Sequence, residues 1–252
     1  MNLPLRSPAT LEVKGLSSGY GKHVVISDVS LSVTPGRLTA ISGVNGAGKS
    51  TLLGTLSGLV AKRGGSISLA GEEVGALPVS DRLKVGISHC PQGRRILQSL
   101  TVEENLDLGA WTRSRSETLE LRTWLYDVFP VLGRKRDARG GSLSGGQQQM
   151  LAIARSLMSA PSVLLVDEPS MGLAPAIVHE VYRLLRALVD MQVGVLLVEE
   201  HVRLLDGVAD EVLILSRGRF VVAETGALHA DPELMAKRVL GGGDPLPMEK
   251  EG

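Results

Sequence analysis

The chain has 252 residues, 43% of them hydrophobic, which is enough to bury a large core in one α/β domain. Basic and acidic residues number 27 each; this balance lacks the basic surplus with which nucleic-acid-binding proteins neutralise phosphates, so we predict no nucleic-acid partner. No apolar run reaches the roughly 18 residues that cross a bilayer, so any membrane role is predicted to be peripheral.

The N-terminal part of the chain alternates between strand and turn patterns. Residues 1–10 contain two prolines and no continuous apolar stretch, unlike a signal peptide, and we expect a cytoplasmic protein. Alternating apolar and polar residues then predict a small antiparallel sheet. The predicted elements are strands over residues 11–13, 29–33, 38–42, 66–69 and 85–90 and a helix over residues 50–59 that ends near Gly58. Cys90 is predicted to be a small buried strand residue.

Helix patterns replace strand patterns from about residue 101. Thr101 and Glu104 have the spacing of a capping box, and residues 117–129 carry apolar residues at helical intervals. A longer helix follows, whose apolar face contains Met150, Ile153, Ala154, Leu157 and Met158. We predict one domain over residues 1–243, with a helical subdomain (93–159) inserted into an α/β core (10–92 and 160–240).

The C-terminal part returns to strands. Residues 163–166 are a continuous apolar run, typical of a strand buried on both faces of a parallel sheet. Residues 195–198 are its predicted neighbour across a helix over residues 176–188, which makes a βαβ unit. The remaining predictions are a hairpin of strands 212–215 and 219–222, a helix over residues 232–240 and a disordered tail over residues 244–252.

Residues 43–51 contain the G-x-x-x-x-G-K-[ST] spacing of a phosphate-binding loop between a predicted strand and a predicted helix. Its glycines let backbone N–H groups turn towards phosphate oxygens, and the helix N-terminus adds partial positive charge. Lys49 can reach the β and γ phosphates, and the Ser50 hydroxyl can hold Mg²⁺. The predicted nucleotide-binding residues of this loop are Gly43, Asn45, Gly46, Gly48, Lys49, Ser50 and Thr51.

Two carboxylates, Asp167 and Glu168, follow the strand at 163–166. Ligands of open α/β sheets bind beyond the carboxyl ends of the strands, so this pair shares the nucleotide if its strand lies beside that of the phosphate loop. Asp167 is then predicted to support the Mg²⁺ shell and Glu168 to polarise the attacking water. The alternative is an exposed acidic turn. Gln92 either senses Mg²⁺ or the attacking water, or is an ordinary loop residue.

A second glycine-rich helix start lies at Ser144, Gly145 and Gly146, where Ser144 and Gln147 have capping-box spacing. In the simplest interpretation it only starts a helix. Its two glycines, however, also leave backbone N–H groups exposed, and these groups can bind a second anion. If the two helix ends lie too far apart to hold one nucleotide, each needs its twin on another subunit, which predicts a head-to-tail dimer with ATP at the interface.

In the order of these motifs the chain resembles the ATP-binding subunits of ABC transporters over about residues 11–243. The resemblance implies a P-loop NTPase parallel-sheet core with an N-terminal antiparallel β subdomain and an inserted α-helical subdomain. It also implies ATP hydrolysis with Mg²⁺, with Tyr20 stacking on adenine unless it is an ordinary turn residue. The implied catalytic residues are Glu168, Gln92 and His201, the implied metal ligands are Ser50, Gln92 and Asp167, and Ser144, Gly145 and Gly146 form the signature motif.

Residues 91–95, 100–106, 148–154 and 168–175 are similar to the branch that takes up branched-chain amino acids, whose near relatives carry urea and short amides. This resemblance implies a second ATPase subunit, two membrane permease subunits and an extracytoplasmic solute-binding protein as partners. It places the chain at the cytoplasmic face of the membrane, with residues 92–105 facing the permease.

The chain departs from the family pattern at two positions. Ala174 stands where an acidic residue is common, which fits the amino acid branch, and Glu200 stands where most members have the switch histidine. Either the next residue, His201, reaches the γ phosphate after a slip in the loop, or Glu200 faces the site. We favour His201.

Three other functions are weighed against this prediction. An ABC ATPase acting on ribosomes or DNA is disfavoured because the chain has one motif set and no basic extension. A P-loop kinase or GTPase leaves residues 143–147 and the Asp-Glu pair unexplained. Export instead of import is a minor alternative.

Overall fold

The computed structural model describes residues 5–225, and none of the helices in this range is long and apolar enough to span a bilayer. The strands are β1 (Leu11–Tyr20), β2 (His23–Val33), β3 (Leu38–Ser42), β4 (Lys62–Leu69), β5 (Glu72–Glu73), β6 (Ile87–Cys90), β7 (Val163–Asp167), β8 (Gly194–Glu199), β9 (Glu211–Ser216) and β10 (Arg219–Thr225). The α-helices are α1 (Lys49–Ser57), α2 (Val79–Val85), α3 (Val102–Gly109), α4 (Arg115–Val128), α5 (Pro130–Arg134), α6 (Gly145–Leu157) and α7 (Pro175–Asp190). Short 3₁₀ turns lie at Gly140–Ser142 and Val202–Leu205. The predicted helix 232–240 and tail 244–252 lie outside the described residues.

The N-terminal strands form the predicted antiparallel sheet, in the order β2-β1-β4-β5. Strand β2 begins six residues before the predicted start at residue 29. Its first residues, His23 and Val24, are both exposed, so this part of the strand carries no alternation between buried and exposed positions. The pattern therefore predicts only the part of the strand in which buried and exposed residues alternate regularly, although Ile26 before it is also buried.

The second sheet has six strands in the order β10-β9-β3-β8-β7-β6. The five strands from β9 to β6 are parallel, and β10 pairs antiparallel with β9 as the predicted hairpin. The βαβ unit β7-α7-β8 is confirmed. Strand β7 does not lie directly beside the phosphate-loop strand β3, which was the condition set for a shared nucleotide, because β8 pairs with both of them and separates them.

Alternate residues of β7 pack into two different cores. Leu164 and Val166 face helices α3 to α7, while Val163 and Leu165 face α1 and the antiparallel sheet. This explains the unbroken apolar run of the strand, since both of its faces are buried. Helices α3 to α6 share their core with the sheet, and the division of the chain into a core and a helical subdomain stays a prediction.

One predicted boundary shifts near the second sheet, and one helix there was not predicted. The strand predicted over residues 85–90 begins at Ile87, because Val85 is the last residue of helix α2, which the sequence patterns did not predict. Helix α2 has only seven residues, too few for its periodicity to be read.

Both predicted capping boxes, at Thr101 and at Ser144, are confirmed by reciprocal hydrogen bonds. Cys90 is buried, as predicted.

Candidate active site

The phosphate loop joins β3 to α1 and leaves the first turn of that helix without a side-chain cap. The N-cap residue is Gly48, with φ of 109°, a conformation that side chains other than glycine rarely adopt. A Cβ there would lie 2.7 Å from Cδ1 of Ile26 in β2. The first N–H groups of α1 therefore have no side-chain acceptor and are available to an anion. Ser50 in this turn is exposed and Thr51 is buried.

Lys49 folds back over the phosphate loop. Its side chain is only 4% exposed, and its ammonium group donates to the carbonyl oxygens of Gly43 (2.7 Å) and Val44 (3.3 Å). The same group forms an ion pair with Oε1 of Glu168 at 3.4 Å. Phosphate loop and acid pair therefore meet, although a whole strand separates β3 from β7.

Glu168 is held from three directions. Its other carboxylate oxygen, Oε2, accepts a hydrogen bond from the Gln92 amide at 2.7 Å, and its own N–H donates to the carbonyl of Val198 at 2.9 Å. Its φ is +44°, in the left-handed region. Such backbone strain persists only where the surroundings enforce it and is commonest at functional sites. The structure therefore brings together Lys49, Gln92 and Glu168, as predicted.

Asp167 lies in the last position of β7 and is 5% exposed. Its Oδ1 has no hydrogen-bond partner among the described residues. Burial raises the pKa of this carboxyl, while a hydrogen bond with Ser50 acts in the opposite direction and the charge of Glu168 adds to the rise. A buried, partly unsatisfied oxygen next to Ser50 fits a ligand to Mg²⁺. The described residues contain no cluster of three metal-binding side chains, so a cation here would also need phosphate oxygens and water.

The end of β8 supplies Glu200 to the phosphate loop. Oε1 of Glu200 accepts from the amide of Asn45 at 3.0 Å, and the Glu200 carbonyl accepts from the Ser42 hydroxyl at 3.2 Å. His201 is exposed, and its imidazole makes no hydrogen bond with the described part of the chain. For the switch position the geometry thus favours Glu200, whereas the sequence analysis preferred His201. The reason is that Glu200 contacts the phosphate loop while the His201 side chain is exposed to solvent.

Sequence reasoning missed Glu199, the last residue of β8. It is 1% exposed and accepts hydrogen bonds from the N–H and hydroxyl of Ser170 (3.1 and 2.8 Å) and from the Tyr182 hydroxyl (2.8 Å). Burial raises its pKa, and the bonds from Tyr182 and Ser170 partly oppose that rise. The available signal was the position itself, since an acid after an apolar parallel strand is the pattern that identified Asp167.

The signature segment opens α6 away from the phosphate loop. Ser144 is exposed and caps the helix, with its hydroxyl accepting from the N–H of Gln147 at 3.4 Å. A Cβ on Gly146 would collide with Ile177 at the start of α7, so that position admits only glycine without rearrangement. Within residues 5–225, no hydrogen bond joins residues 143–147 to the phosphate loop.

Tyr20 is 57% exposed at the end of β1, where it pairs with His23 across the hairpin turn. The second strand of this hairpin packs Val25 and Ile26 against Gly48. Tyr20 is therefore an exposed residue of a hairpin whose second strand packs against the phosphate loop. Its contact with adenine stays a prediction.

Comparisons with known proteins agree with this geometry. The sequence profile of the ABC transporter family matches residues 26–171. The high-affinity branched-chain amino acid transport ATP-binding protein BraG of Pseudomonas aeruginosa is 40% identical over 90% of this chain and 97% of that protein. The lipopolysaccharide export system ATP-binding protein LptB of Escherichia coli K12 is 33% identical over 92% of this chain and 98% of that protein.

Among solved structures, a nucleotide-free ATP-binding cassette from an ABC transporter matches with a TM-score of 0.81 and 24% identity, over 90% of this chain and 97% of the other. This likeness concerns the fold, which is the predicted P-loop core with an antiparallel sheet and helices. The sequence match and the fold lead to one conclusion: the chain belongs to the ABC transporter family, as an ATP-hydrolysing subunit of a transporter.

Proposed function

We propose that the chain hydrolyses ATP with Glu168 as the general base and Gln92 as the residue that orients it. The main support is the contact of one carboxylate with both the Lys49 ammonium (3.4 Å) and the Gln92 amide (2.7 Å). A carboxylate held beside a phosphate-binding lysine suits the polarisation of a water that attacks the γ phosphate.

ATP binding then changes what Lys49 contacts. The ammonium group now donates to two loop carbonyls and pairs with Glu168. Phosphate oxygens are stronger partners for a lysine than neutral carbonyls, so ATP draws the ammonium group towards itself. Glu168 is thereby released from its ion pair and keeps the bond from Gln92, which leaves one carboxylate oxygen free to accept a proton from water.

The remaining site residues hold the nucleotide and its cation. Ser50, Asp167 and Gln92 would hold Mg²⁺, which when bound neutralises charge on the β and γ phosphates. The backbone of Gly43, Asn45, Gly46, Gly48 and Thr51 surrounds the phosphates, and Tyr20 stacks on adenine. Glu200, through Asn45, is the better candidate for the switch position than His201.

A second ATPase subunit completes the site. Ser144, Gly145 and Gly146 form a helix start that is capped but not engaged with the phosphate loop of its own chain. In a head-to-tail dimer this start binds the γ phosphate held by the other subunit. ATP binding closes the dimer and hydrolysis opens it, because only the triphosphate joins both faces. The partner is a second copy or a related ATPase.

We further propose that the transporter is an importer of branched-chain amino acids, with two permease subunits and an extracytoplasmic solute-binding protein. The support is the 40% identity to BraG over nearly its full length. Urea or short amides are alternative solutes, because the segments at residues 91–95, 100–106, 148–154 and 168–175 resemble a branch whose near relatives carry them. Export is the second alternative. Its support is the likeness to LptB, whose identity of 33% is lower than that of BraG.

The permease is proposed to dock at the residues that follow Gln92, at the cytoplasmic face of the membrane. Leu97, Leu108 and Trp111 are large apolar residues in this region and are 46%, 47% and 58% exposed. Leu108 and Trp111 line a cavity of about 300 Å³ with His89 on the edge strand β6. A concave surface that combines exposed apolar side chains with polar ones such as Ser88 and Arg155 suits a short amphipathic permease helix.

The test is ATPase activity of the transporter reconstituted in lipid nanodiscs. We expect the activity to rise when the cognate solute-binding protein is loaded with leucine, isoleucine or valine, and to stay basal with the unloaded protein. Stimulation only by urea or amides selects the alternative solute. Stimulation by a lipid substrate without any binding protein would contradict import, and the absence of ATPase activity in every preparation would contradict the hydrolytic assignment itself.

A further inference from the structure

Glu199 is the most buried carboxylate among the described residues, and the hydrolytic scheme does not use it. Its two oxygens accept three hydrogen bonds, two from Ser170 and one from Tyr182. No lysine or arginine of the described chain forms an ion pair with it. A charge buried without a cation is costly unless hydrogen bonds compensate it, so the three donors determine where this carboxylate can lie.

Three consecutive residues, the last two of β8 and the one after it, contact three different parts of the site. The Val198 carbonyl accepts the N–H of Glu168 at 2.9 Å. Glu199 holds Ser170, two residues after Glu168, and the next carboxylate, Glu200, accepts from Asn45 in the phosphate loop. The end of this strand therefore connects the phosphate loop to the turn that carries the proposed base.

That turn needs external support. Glu168 has a left-handed backbone, and two backbone bonds close the turn from within, from Met171 N–H to Glu168 O (3.3 Å) and from Leu173 N–H to Ser170 O (3.1 Å). Ser170 ties this turn to one buried group, because its N–H and its hydroxyl both donate to the Glu199 carboxylate. Loss of the Glu199 acceptor would free Ser170 and let the strained backbone relax.

We propose that Glu199 is a positioning residue for ATP hydrolysis, which fixes the Glu168 side chain by anchoring Ser170. The inference rests on the proposed function of Glu168 as the base. Glu199 makes no hydrogen bond to residues 43–51 in the described structure, so its loss impairs the hydrolytic step and leaves the nucleotide-binding loop intact.

The experiment compares Glu199→Gln, Ser170→Ala and the double variant with wild type in the reconstituted transporter. We expect kcat to fall about 10- to 100-fold in each single variant, since a small misplacement of a reacting group has effects of this size. KM and the Kd for a fluorescent ATP analogue should stay within about twofold, which a general loss of structure would not produce. The double variant should lose no more than the worse single variant, because both changes break the same link.

Two controls separate this inference from simpler explanations. Glu72→Gln makes the same chemical change at an exposed residue of β5 and should keep wild-type activity. Tyr182→Phe removes one donor but leaves both Ser170 bonds, so its loss of kcat should be smaller than that of Ser170→Ala. If Glu199→Gln does not fold, Ser170→Ala with the same expected split between kcat and Kd still decides the question.

Wild-type kcat in Ser170→Ala, or a loss that appears in Kd instead of kcat, overturns the proposal. The Lys49→Ala variant distinguishes failure of the positioning role of Glu199 from failure of the proposed function. Hydrolysis abolished in Lys49→Ala but normal in Glu199→Gln refutes only the positioning role. Undiminished hydrolysis in Lys49→Ala refutes the proposed active site, and the positioning role with it.

Discussion

The two glycine-rich helix starts of this chain differ in what surrounds them. At α1 the N-cap has no side-chain acceptor, and a lysine, two carboxylates and a glutamine converge beside it. At α6 an exposed serine caps the helix, Gly146 is buried, and no hydrogen bond within residues 5–225 joins residues 143–147 to the phosphate loop. The α1 start thus lies beside the proposed catalytic groups of its own chain. The α6 start has backbone N–H groups that can bind an anion but no catalytic groups beside it, which is why we propose that it serves a site on another subunit.

The largest expected effect comes from the centre of the assembled site. Glu168→Gln removes the base but keeps an oxygen for the Gln92 amide and a side chain of equal size. We expect kcat to fall by about a thousandfold, the usual range for loss of a general base being about 10² to 10⁴, while ATP still binds. Size-exclusion chromatography with excess ATP should then show a stable dimer. A variant that stays monomeric and free of ATP would contradict this assignment.

Lys49→Ala tests the same phosphate-loop site through the affinity for ATP instead of the rate of hydrolysis. Charge-assisted hydrogen bonds contribute about 1.5–3 kcal/mol each, so we expect the Kd for ATP to rise about 10- to 100-fold. Calorimetric titration with a non-hydrolysable ATP analogue measures it. An unchanged Kd would mean that Lys49 binds only its own loop and Glu168.

Ser144→Ala examines the second helix start, and Ser114→Ala is its matched control. Both serines form capping boxes, at α6 and α4, so both variants should lose about 1 kcal/mol of stability. Only Ser144→Ala should also lower ATPase activity, by about tenfold, because only that hydroxyl is proposed to meet a phosphate. Equal activity in the two variants would reduce the signature segment to an ordinary helix start.

The smallest expected effect concerns the switch position. Glu200→Gln weakens the acceptor for the Asn45 amide, and we expect a loss of about two- to fivefold, in keeping with one partly exposed hydrogen bond. His201→Ala should lose less, because the imidazole is exposed. ATPase rates of the two variants, measured side by side, decide between them. A larger loss in His201→Ala would restore the prediction made from the sequence.

The sequence predicted those parts of the site that local chemistry determines. The phosphate loop, the Ser144 cap and the acid after an apolar strand each depend on neighbours in the chain, and all three have the expected local structure. Lys49, Gln92 and Glu168 could be grouped because each follows a strand of the parallel sheet, and the carboxyl ends of these strands lie at the same edge.

The sequence did not predict features that depend on distant parts of the chain. The position of β8 between β3 and β7 is set by how strands pair, which local patterns do not encode. For the same reason Glu199 was overlooked, since its donors Ser170 and Tyr182 lie 29 and 17 residues away. Glu200 and His201 are adjacent, and only the path of the chain after β8 shows which of them faces the phosphate loop.

A structure of Glu168→Gln with Mg²⁺-ATP and its cognate ATPase partner tests the central claim most directly. The distance to measure joins the Ser144 hydroxyl to the γ phosphate bound at the facing subunit's phosphate loop. We predict a hydrogen bond, with an oxygen-to-oxygen distance of about 2.5–3.0 Å. A closed dimer in which Ser144 points away from every nucleotide would contradict the claim.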